Sequence, residues 1–132
     1  MAYKGQPVPS TIKPITRAKI SDGKSVVVTV PENTEIAAQT FVLLDGFFGV
    51  AMESVKTGAG ETAEIAISIE QAEYETDQIT AADTYKAGDL LYFKESTKKF
   101  TTVAENNRLV GRVTSGKDEN NVISFILLPQ IG

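Results

Sequence analysis

The chain of 132 residues contains no cysteine, no histidine and no tryptophan. Without cysteine it can form neither a disulfide bond nor a thiolate metal or redox site. Without histidine, the Ser-His-Asp triad, the usual general base and nearly all zinc sites are excluded. We therefore predict that the protein is not an enzyme and binds no metal and no cofactor.

Long apolar runs are also missing. No stretch approaches the roughly 18 apolar residues of a membrane helix, and Met1 is not followed by the basic and apolar regions of a secretory signal. We therefore expect no membrane partner. A chain of this length can bury roughly two thirds of the surface that it exposes when unfolded, so a β core can be stable without metals or disulfides.

The net charge of −4 is unevenly distributed along the chain. The first 24 residues contain five basic residues and one acidic residue, a net charge of +4, which leaves −8 for the rest. Pro7, Pro9 and Pro14 each fix φ and lack an N–H donor, which excludes a helix there. We predict an extended basic arm at residues 1–20 and a single β domain at residues 21–132. Because the domain is acidic and would repel phosphate, we expect no nucleic-acid partner.

The strongest local signal is a β-hairpin in the centre of the chain. The apolar runs Phe41–Leu44 and Phe47–Met52 are separated by Asp45-Gly46, a dipeptide typical of two-residue hairpin turns. Further short runs with period-2 alternation precede and follow it. Their turns recur every eight to twelve residues or so, which favours an all-β fold. We predict a compact sandwich or small barrel of about eight short strands, with the arm extended from it.

Two elements in the C-terminal half lead to more specific expectations. Thr80–Lys86 could form one or two helical turns that end at Gly88. The last strand, Asn121–Leu128, is apolar on both faces, so it should lie in the centre of a sheet or be covered by a partner.

Two patterns resemble catalytic or binding motifs without completing them. Gly111–Asp118 matches a phosphate-binding loop except at its last position, where Asp118 would repel phosphate, and we interpret Ser115–Asn120 as a hairpin loop. The carboxylates Glu70, Glu73, Glu75 and Asp77 could suggest a glycosidase pair or a calcium site. Their alternation fits a solvated acidic face better.

Three stretches resemble the DUF2190 family of tailed-phage and prophage proteins. They are GFFGVAMESVKTGAGETAEIAI from Gly46, KAGDLLYFKESTKKFTT from Lys86 and NNRLVGRV from Asn106. The resemblance runs from about residue 20 to residue 128. It implies a capsid decoration, or cement, protein: a structural component that binds the outer surface of the phage head and holds neighbouring capsomers of the major capsid protein together. It would act as a homo-oligomer, a dimer or a trimer.

Within that interpretation the arm is the predicted contact with the capsid or with a neighbouring subunit. Its basic side chains would meet an acidic surface, and its apolar side chains would add contact area; they are Lys4, Lys13, Arg17 and Lys19, and Tyr3, Pro7, Pro9 and Ile15. A possible interface between copies comprises Phe47, Phe48, Phe125 and Leu127, with ordinary core packing as the alternative for each.

The alternative function is a carbohydrate-binding or host-binding β domain of a phage head or tail fibre. Such a domain needs aromatic side chains exposed on a flat face. Because the chain has no tryptophan, the candidates are Tyr74, Tyr85 and Tyr92.

Overall fold

A computed structural model describes residues 18–130, and the regular structure of this part of the chain consists of β-strands alone. This confirms the predicted all-β class, with eleven strands rather than about eight because two pairing segments are only two residues long. The strands are β1 (Ser25–Val30), β2 (Glu35–Ile36), β3 (Phe41–Leu44), β4 (Phe47–Ala51), β5 (Val55–Lys56), β6 (Ala63–Ser68), β7 (Glu73–Thr76), β8 (Leu90–Lys94), β9 (Lys99–Thr101), β10 (Arg108–Ser115) and β11 (Ile123–Leu127).

The strands form three antiparallel sheets. The largest has the order β9-β8-β10-β11-β7, the second has the order β1-β6-β4-β3, and β2 pairs with β5. The last strand, β11, lies between β10 and β7, which is the central position predicted for it. The loop between β10 and β11 includes residues 116–120, so the near match to a phosphate-binding loop is part of a hairpin, as expected.

The predicted central hairpin is β3–β4, and its turn follows from the two residues between the strands. Asp45 and Gly46 both have positive φ, 52° and 82°, which is the requirement of a type I′ turn. The Asp45 carboxylate also accepts a hydrogen bond from the Thr29 backbone N–H of β1, at 2.8 Å. The second sheet therefore curls until its two edge strands meet at this turn, which gives it the form of half a barrel.

The main core lies between the two larger sheets. Aromatic rings from both sheets pack together there: Phe48 lies 4.8 Å from Phe93, and Phe100 lies 5.2 Å from Phe41 and 4.9 Å from Phe125, between ring centroids. All five side chains are buried. This aromatic cluster joins the hairpin to the five-stranded sheet.

A second core lies on the other face of the four-stranded sheet. Its buried members are aliphatic: Val28, Val30, Ile36, Ala51, Ile65 and Ile67. Along the hairpin, side chains alternate between the two cores, so that Leu43 packs against the first and Val42, Leu44 and Phe47 against the second. The hairpin is apolar on both faces because it is the layer between two cores.

The short helix predicted at Thr80–Lys86 is wrong. Residues 78–80 instead pair with the edge strand β9: Phe100 donates to the Gln78 carbonyl and Thr80 donates to the Phe100 carbonyl, both at 2.8 Å. Tyr85, further along this segment, lies in the main core, where it is 5% exposed. Backbone pairing and this buried ring stabilise the segment more than the few hydrogen bonds of one helical turn would.

Candidate interaction surfaces

Most of the predicted arm residues lie outside the described part of the chain. They are Tyr3, Lys4, Pro7, Pro9, Lys13, Ile15 and Arg17. Lys19 is described, and its ammonium group lies 2.7 Å from the Asp22 carboxylate, with both side chains largely exposed. Contact of the arm with a partner therefore stays a prediction.

The four residues predicted as a possible interface between copies have different positions. Phe48, Phe125 and Leu127 are at most 1% exposed and fill the main core, which is the alternative that the sequence left open. Phe47 is half-buried and packs against the second core. An interface between copies at Phe47 stays a prediction.

The outer edge of β3 is partly covered by a glutamine side chain. Gln78 accepts a hydrogen bond from the Phe41 N–H and donates to the Phe41 carbonyl, both at 2.9 Å. It also donates to the Lys98 carbonyl. A single side chain thus imitates one residue of a neighbouring strand and links the hairpin to the five-stranded sheet.

A second glutamine does the same at the opposite edge of the hairpin. Gln130 accepts from the Phe48 N–H at 2.8 Å and donates to the Phe48 carbonyl at 2.9 Å. Arg108 of β10 donates to the Gly46 carbonyl next to it, and burial lowers the pKa of this guanidinium. Sequence reasoning did not identify Gln78, Gln130 or Arg108, because each acts on backbone that is distant in the chain.

A groove of about 400 Å³ lies beside β3. One wall is formed by the strand itself, residues 41–44, and the other includes Ile36, Ala37 and Phe93. Glu35, Glu95 and Lys98 also line it, and all three are exposed. The groove is therefore mainly apolar and carries more acidic than basic groups.

The edge strand β7 of the five-stranded sheet has a different character. Glu73 and Glu75 are exposed and alternate with half-buried residues, and Asp77 continues the pattern beyond the strand. This confirms the expectation of a solvated acidic face. Charged side chains on an edge strand oppose pairing with another chain.

The outer face of the five-stranded sheet presents a mixed row of side chains. Leu90, Arg112, Ile126 and Glu73 are register neighbours across four adjacent strands. Leu90 and Ile126 are 37% and 38% exposed. Apolar and oppositely charged side chains thus alternate along this row.

A broader cleft, about 940 Å³, opens between the loops around residues 80–83, 94–97 and 103–107. Three acidic residues line it, Asp83, Glu95 and Glu105. Asp83 accepts hydrogen bonds from the Thr101 hydroxyl at 2.5 Å and from the Thr102 N–H at 3.2 Å. Thr101 is buried. Asp83 therefore holds the loop against β9, which explains its position without any catalytic role.

Tyr85 lies beneath this loop and makes two hydrogen bonds through its hydroxyl. It donates to the carbonyls of Thr80 and Phe100, at 3.0 and 3.1 Å. Burial raises the pKa of the Tyr85 hydroxyl to about 12, and the neighbouring Asp83 carboxylate adds to the increase.

This raised pKa predicts a specific dependence of stability on pH. Since the folded state keeps the Tyr85 proton more tightly than the unfolded state, the stabilisation is complete below pH 10 and is lost between about pH 10 and about pH 12. The difference in unfolding free energy between the wild type and Tyr85→Phe should therefore shrink from pH 9 to pH 11.5. Urea unfolding followed by circular dichroism measures it, and a constant difference would contradict the prediction.

The described residues, 18–130, contain no group of three or more histidine, cysteine, aspartate or glutamate side chains that could hold a metal ion. Within the same residues, no helix is long and apolar enough to cross a membrane.

Comparison with known proteins identifies the family. A family model described as phage cement protein matches residues 20–129, a range that includes all eleven strands. The chain belongs to the phage cement protein family. It is thus a structural component of a phage virion, and the cement-protein resemblance read from the sequence is confirmed.

This cement-family protein was also compared with curated proteins and with solved structures. No curated protein matches the chain. Among solved structures, the N base of the head fiber gp8.5 of bacteriophage phi29 aligns with 82% of this chain and 98% of its own, with 13% identity and a TM-score of 0.46.

The alternative of a glycan-binding fibre domain needs an exposed aromatic platform, and the tyrosines within residues 18–130 of this cement-family protein do not form one. Tyr85 is buried. The Tyr74 ring packs 5.6 Å from Phe41 and 5.9 Å from Phe125, between centroids, at the border of the main core. Tyr92 is half-buried. Every aromatic side chain among residues 18–130 is buried or half-buried.

Proposed function

We propose that this protein binds the outer surface of the phage head and stabilises the contacts between capsomers of the major capsid protein. The observation that carries the proposal is the match to the phage cement protein family over residues 20–129, which span the whole β body. In this proposal the protein is structural and non-catalytic, and the virion surface is its place of action.

The construction of the body suits such a role. Two cores and three sheets make a rigid support, and a rigid binding surface loses little conformational entropy when it contacts a shell. An open sheet edge can add main-chain hydrogen bonds to an extended segment of a partner. Because a symmetric shell presents many equivalent sites, weak individual contacts can add up through multivalency.

The basic arm is the part of the chain that we propose to contact the acidic surface of the capsid or of a neighbouring subunit. Within residues 1–17, Lys4, Lys13 and Arg17 are the charged groups, and no acidic residue offsets them. Lys19 extends the basic stretch onto the described surface, where it is exposed. Opposite charges across an interface mainly accelerate association and set orientation.

The direct test is co-sedimentation of the purified protein with expanded heads of its own phage that lack it. We expect saturable binding and a higher temperature of head disruption for decorated than for bare particles, because additional contacts must be broken before capsomers separate. Heads that neither bind the protein nor become more stable would overturn the proposal.

Reversing the charge of the arm tests its part in binding. The triple variant Lys4→Glu, Lys13→Glu, Arg17→Glu should bind heads roughly tenfold or more weakly, since three interface charges at about 0.5 kcal/mol each exceed 1.4 kcal/mol. The matched control reverses three exposed lysines of the body, Lys56, Lys86 and Lys94. Co-sedimentation at low and high salt measures head binding by both triple variants. The difference in affinity between them should shrink at high salt because exposed charges are screened. Equal weakening by both triple variants would contradict a special role of the arm.

A further inference from the structure

The outer edge of β3 presents main-chain groups that the hairpin does not use. In a two-residue hairpin the pair next to the turn, Leu44 and Phe47, is hydrogen-bonded, and alternate pairs follow. Leu43 therefore faces Phe48 in a pair without hydrogen bonds. The Phe48 N–H and carbonyl bind Gln130 on the other side, in agreement with this pattern. The N–H and carbonyl of Leu43 point away from β4 and have no hydrogen-bond partner within residues 18–130.

The groove of about 400 Å³ runs along this edge. Four consecutive residues, 41–44, line it although their side chains alternate between the two faces of the sheet. Only the edge of a strand can contribute consecutive residues to one groove. An extended segment placed in the groove would therefore have the Leu43 main chain within reach and apolar side chains around it, the arrangement of β-strand addition.

The other edge strands of the two larger sheets are covered, charged or joined at one point to a neighbour. Residues 78–80 pair with β9, and β7 carries the exposed charges of Glu73 and Glu75. β1 is joined at Thr29 to the Asp45 carboxylate and ends before Pro31, which has no N–H to continue a ladder. β1 and β3 both lack charged side chains, but of these two edges only that of β3 lies along the groove. Apart from Phe41, whose main-chain groups Gln78 bonds, the β3 edge has no charge and no cover from residues 18–130, and such an edge invites another strand.

The basic arm contains a segment that fits this groove. Pro9 and Pro14 enclose Ser10-Thr11-Ile12-Lys13, which has the same four-residue length as β3. Prolines cannot donate to a ladder and would confine the pairing to these four residues. Threonine and isoleucine favour extended structure. The carboxylates of Glu35 and Glu95 at the groove complement the positive charge of the arm.

We propose that Ser10–Lys13 of one copy binds in the groove of a neighbouring copy and adds a short strand to the edge of β3. This inference rests on the proposed function, which brings copies next to one another on the head. It extends that function by naming the surface on which the arm of one subunit is held by the next.

The first test is amide hydrogen exchange by NMR on the full-length protein at several concentrations. The Leu43 N–H should exchange about tenfold or more slowly at millimolar than at micromolar concentration, because docking by a second copy forms a hydrogen bond to it. Ile12→Pro removes the N–H at the centre of the segment and should abolish this slowing. Thr16→Pro, outside the segment, should leave it unchanged. The Ala51 N–H, bonded within the hairpin to Thr40, is the internal reference.

Two outcomes of this test would overturn the proposal. Leu43 exchange that is equal at all concentrations and unaffected by Ile12→Pro would mean that the groove does not bind the segment. Slow exchange that is independent of concentration but lost in Ile12→Pro would assign the groove to the chain's own arm.

A second measurement uses the absence of cysteine from the sequence. One chain carries Thr11→Cys and a second chain carries Ala37→Cys, and the two proteins are mixed and oxidised. In the control, Glu119→Cys, on an exposed loop, replaces Ala37→Cys. We expect a disulfide-linked peptide joining positions 11 and 37 in clear excess over the control, whereas equal yields would refute the proposal. Because this experiment is done in concentrated solution without heads, it can fail while head binding succeeds, and the reverse also holds.

Discussion

Replacing Phe100 by alanine is expected to lower the free energy of unfolding by about 3–5 kcal/mol, the range for removing a fully buried aromatic side chain. The Phe100 ring is 0% exposed. It lies within 5.6 Å of Phe48 and Phe93, and closer to Phe41 and Phe125, between ring centroids. Its neighbours belong to both large sheets, so the cavity would separate the two halves of the main core. For a domain whose total stability is about 5–15 kcal/mol, this is a large fraction.

The matched control for this substitution is Tyr92→Ala. Tyr92, on β8, is the register neighbour of Thr101 on β9 and is half-buried rather than buried. Tyr92→Ala should lower the free energy of unfolding by about 1 kcal/mol, because truncating a half-buried aromatic side chain removes less apolar contact and leaves no closed cavity. Urea unfolding monitored by circular dichroism measures both variants. Similar losses for Phe100→Ala and Tyr92→Ala would show that the aromatic cluster is not the main support of the fold.

The hairpins were predictable from the sequence because their structure is local. Asp45-Gly46 sets the turn between β3 and β4 through two residues with positive φ, and the four residues Glu95–Lys98 connect β8 to β9. In β1, Val26, Val28 and Val30 alternate with exposed residues and form its inner side. In each case the deciding interactions are within a few residues of one another.

The division of strands between sheets was not predictable in the same way. In the sequence, the alternating run at Ile65–Ile69 leads directly into the acidic residues that follow. In the structure, β6 ends at Ser68 in one sheet and β7 begins at Glu73 in the other. The change of sheet depends on contacts with β11, which is about fifty residues further along the chain, and no local pattern encodes it.

The side chains that bond the edges of the hairpin were not predictable from the sequence either. Gln78 and Gln130 each bond both main-chain groups of one residue, 37 and 82 positions away in sequence. A glutamine in a loop carries no signal that distinguishes this role from simple solvation. The chemistry that the sequence lacks was more informative, because it favoured a structural role before any contact was known.

Gly49→Ala is expected to be the most damaging change that adds a single methyl group to the second sheet. A Cβ at position 49 would lie 2.2 Å from the Ser68 carbonyl oxygen and 3.1 Å from the Ile69 side chain. The oxygen belongs to backbone that pairs with β4 only at Val50↔Ser68 and Ala51↔Ile67. We expect a loss of about 3 kcal/mol, the upper part of the range for overpacking, because β4 and β6 must move apart where both cores depend on their contact.

Gly58→Ala is the control that separates this clash from the general effect of replacing a glycine. The nearest atom to a Cβ at position 58 is the end of the flexible Glu61 side chain, at 3.1 Å, which can move. Alanine also restricts the unfolded chain, an effect that favours folding by about 0.4–1 kcal/mol. Gly58→Ala should therefore be close to neutral while Gly49→Ala unfolds at clearly lower urea concentration. If both variants unfold at the same concentration as the wild type, β4 and β6 are not in the close contact described, and the half-barrel that presents the β3 groove has a different packing.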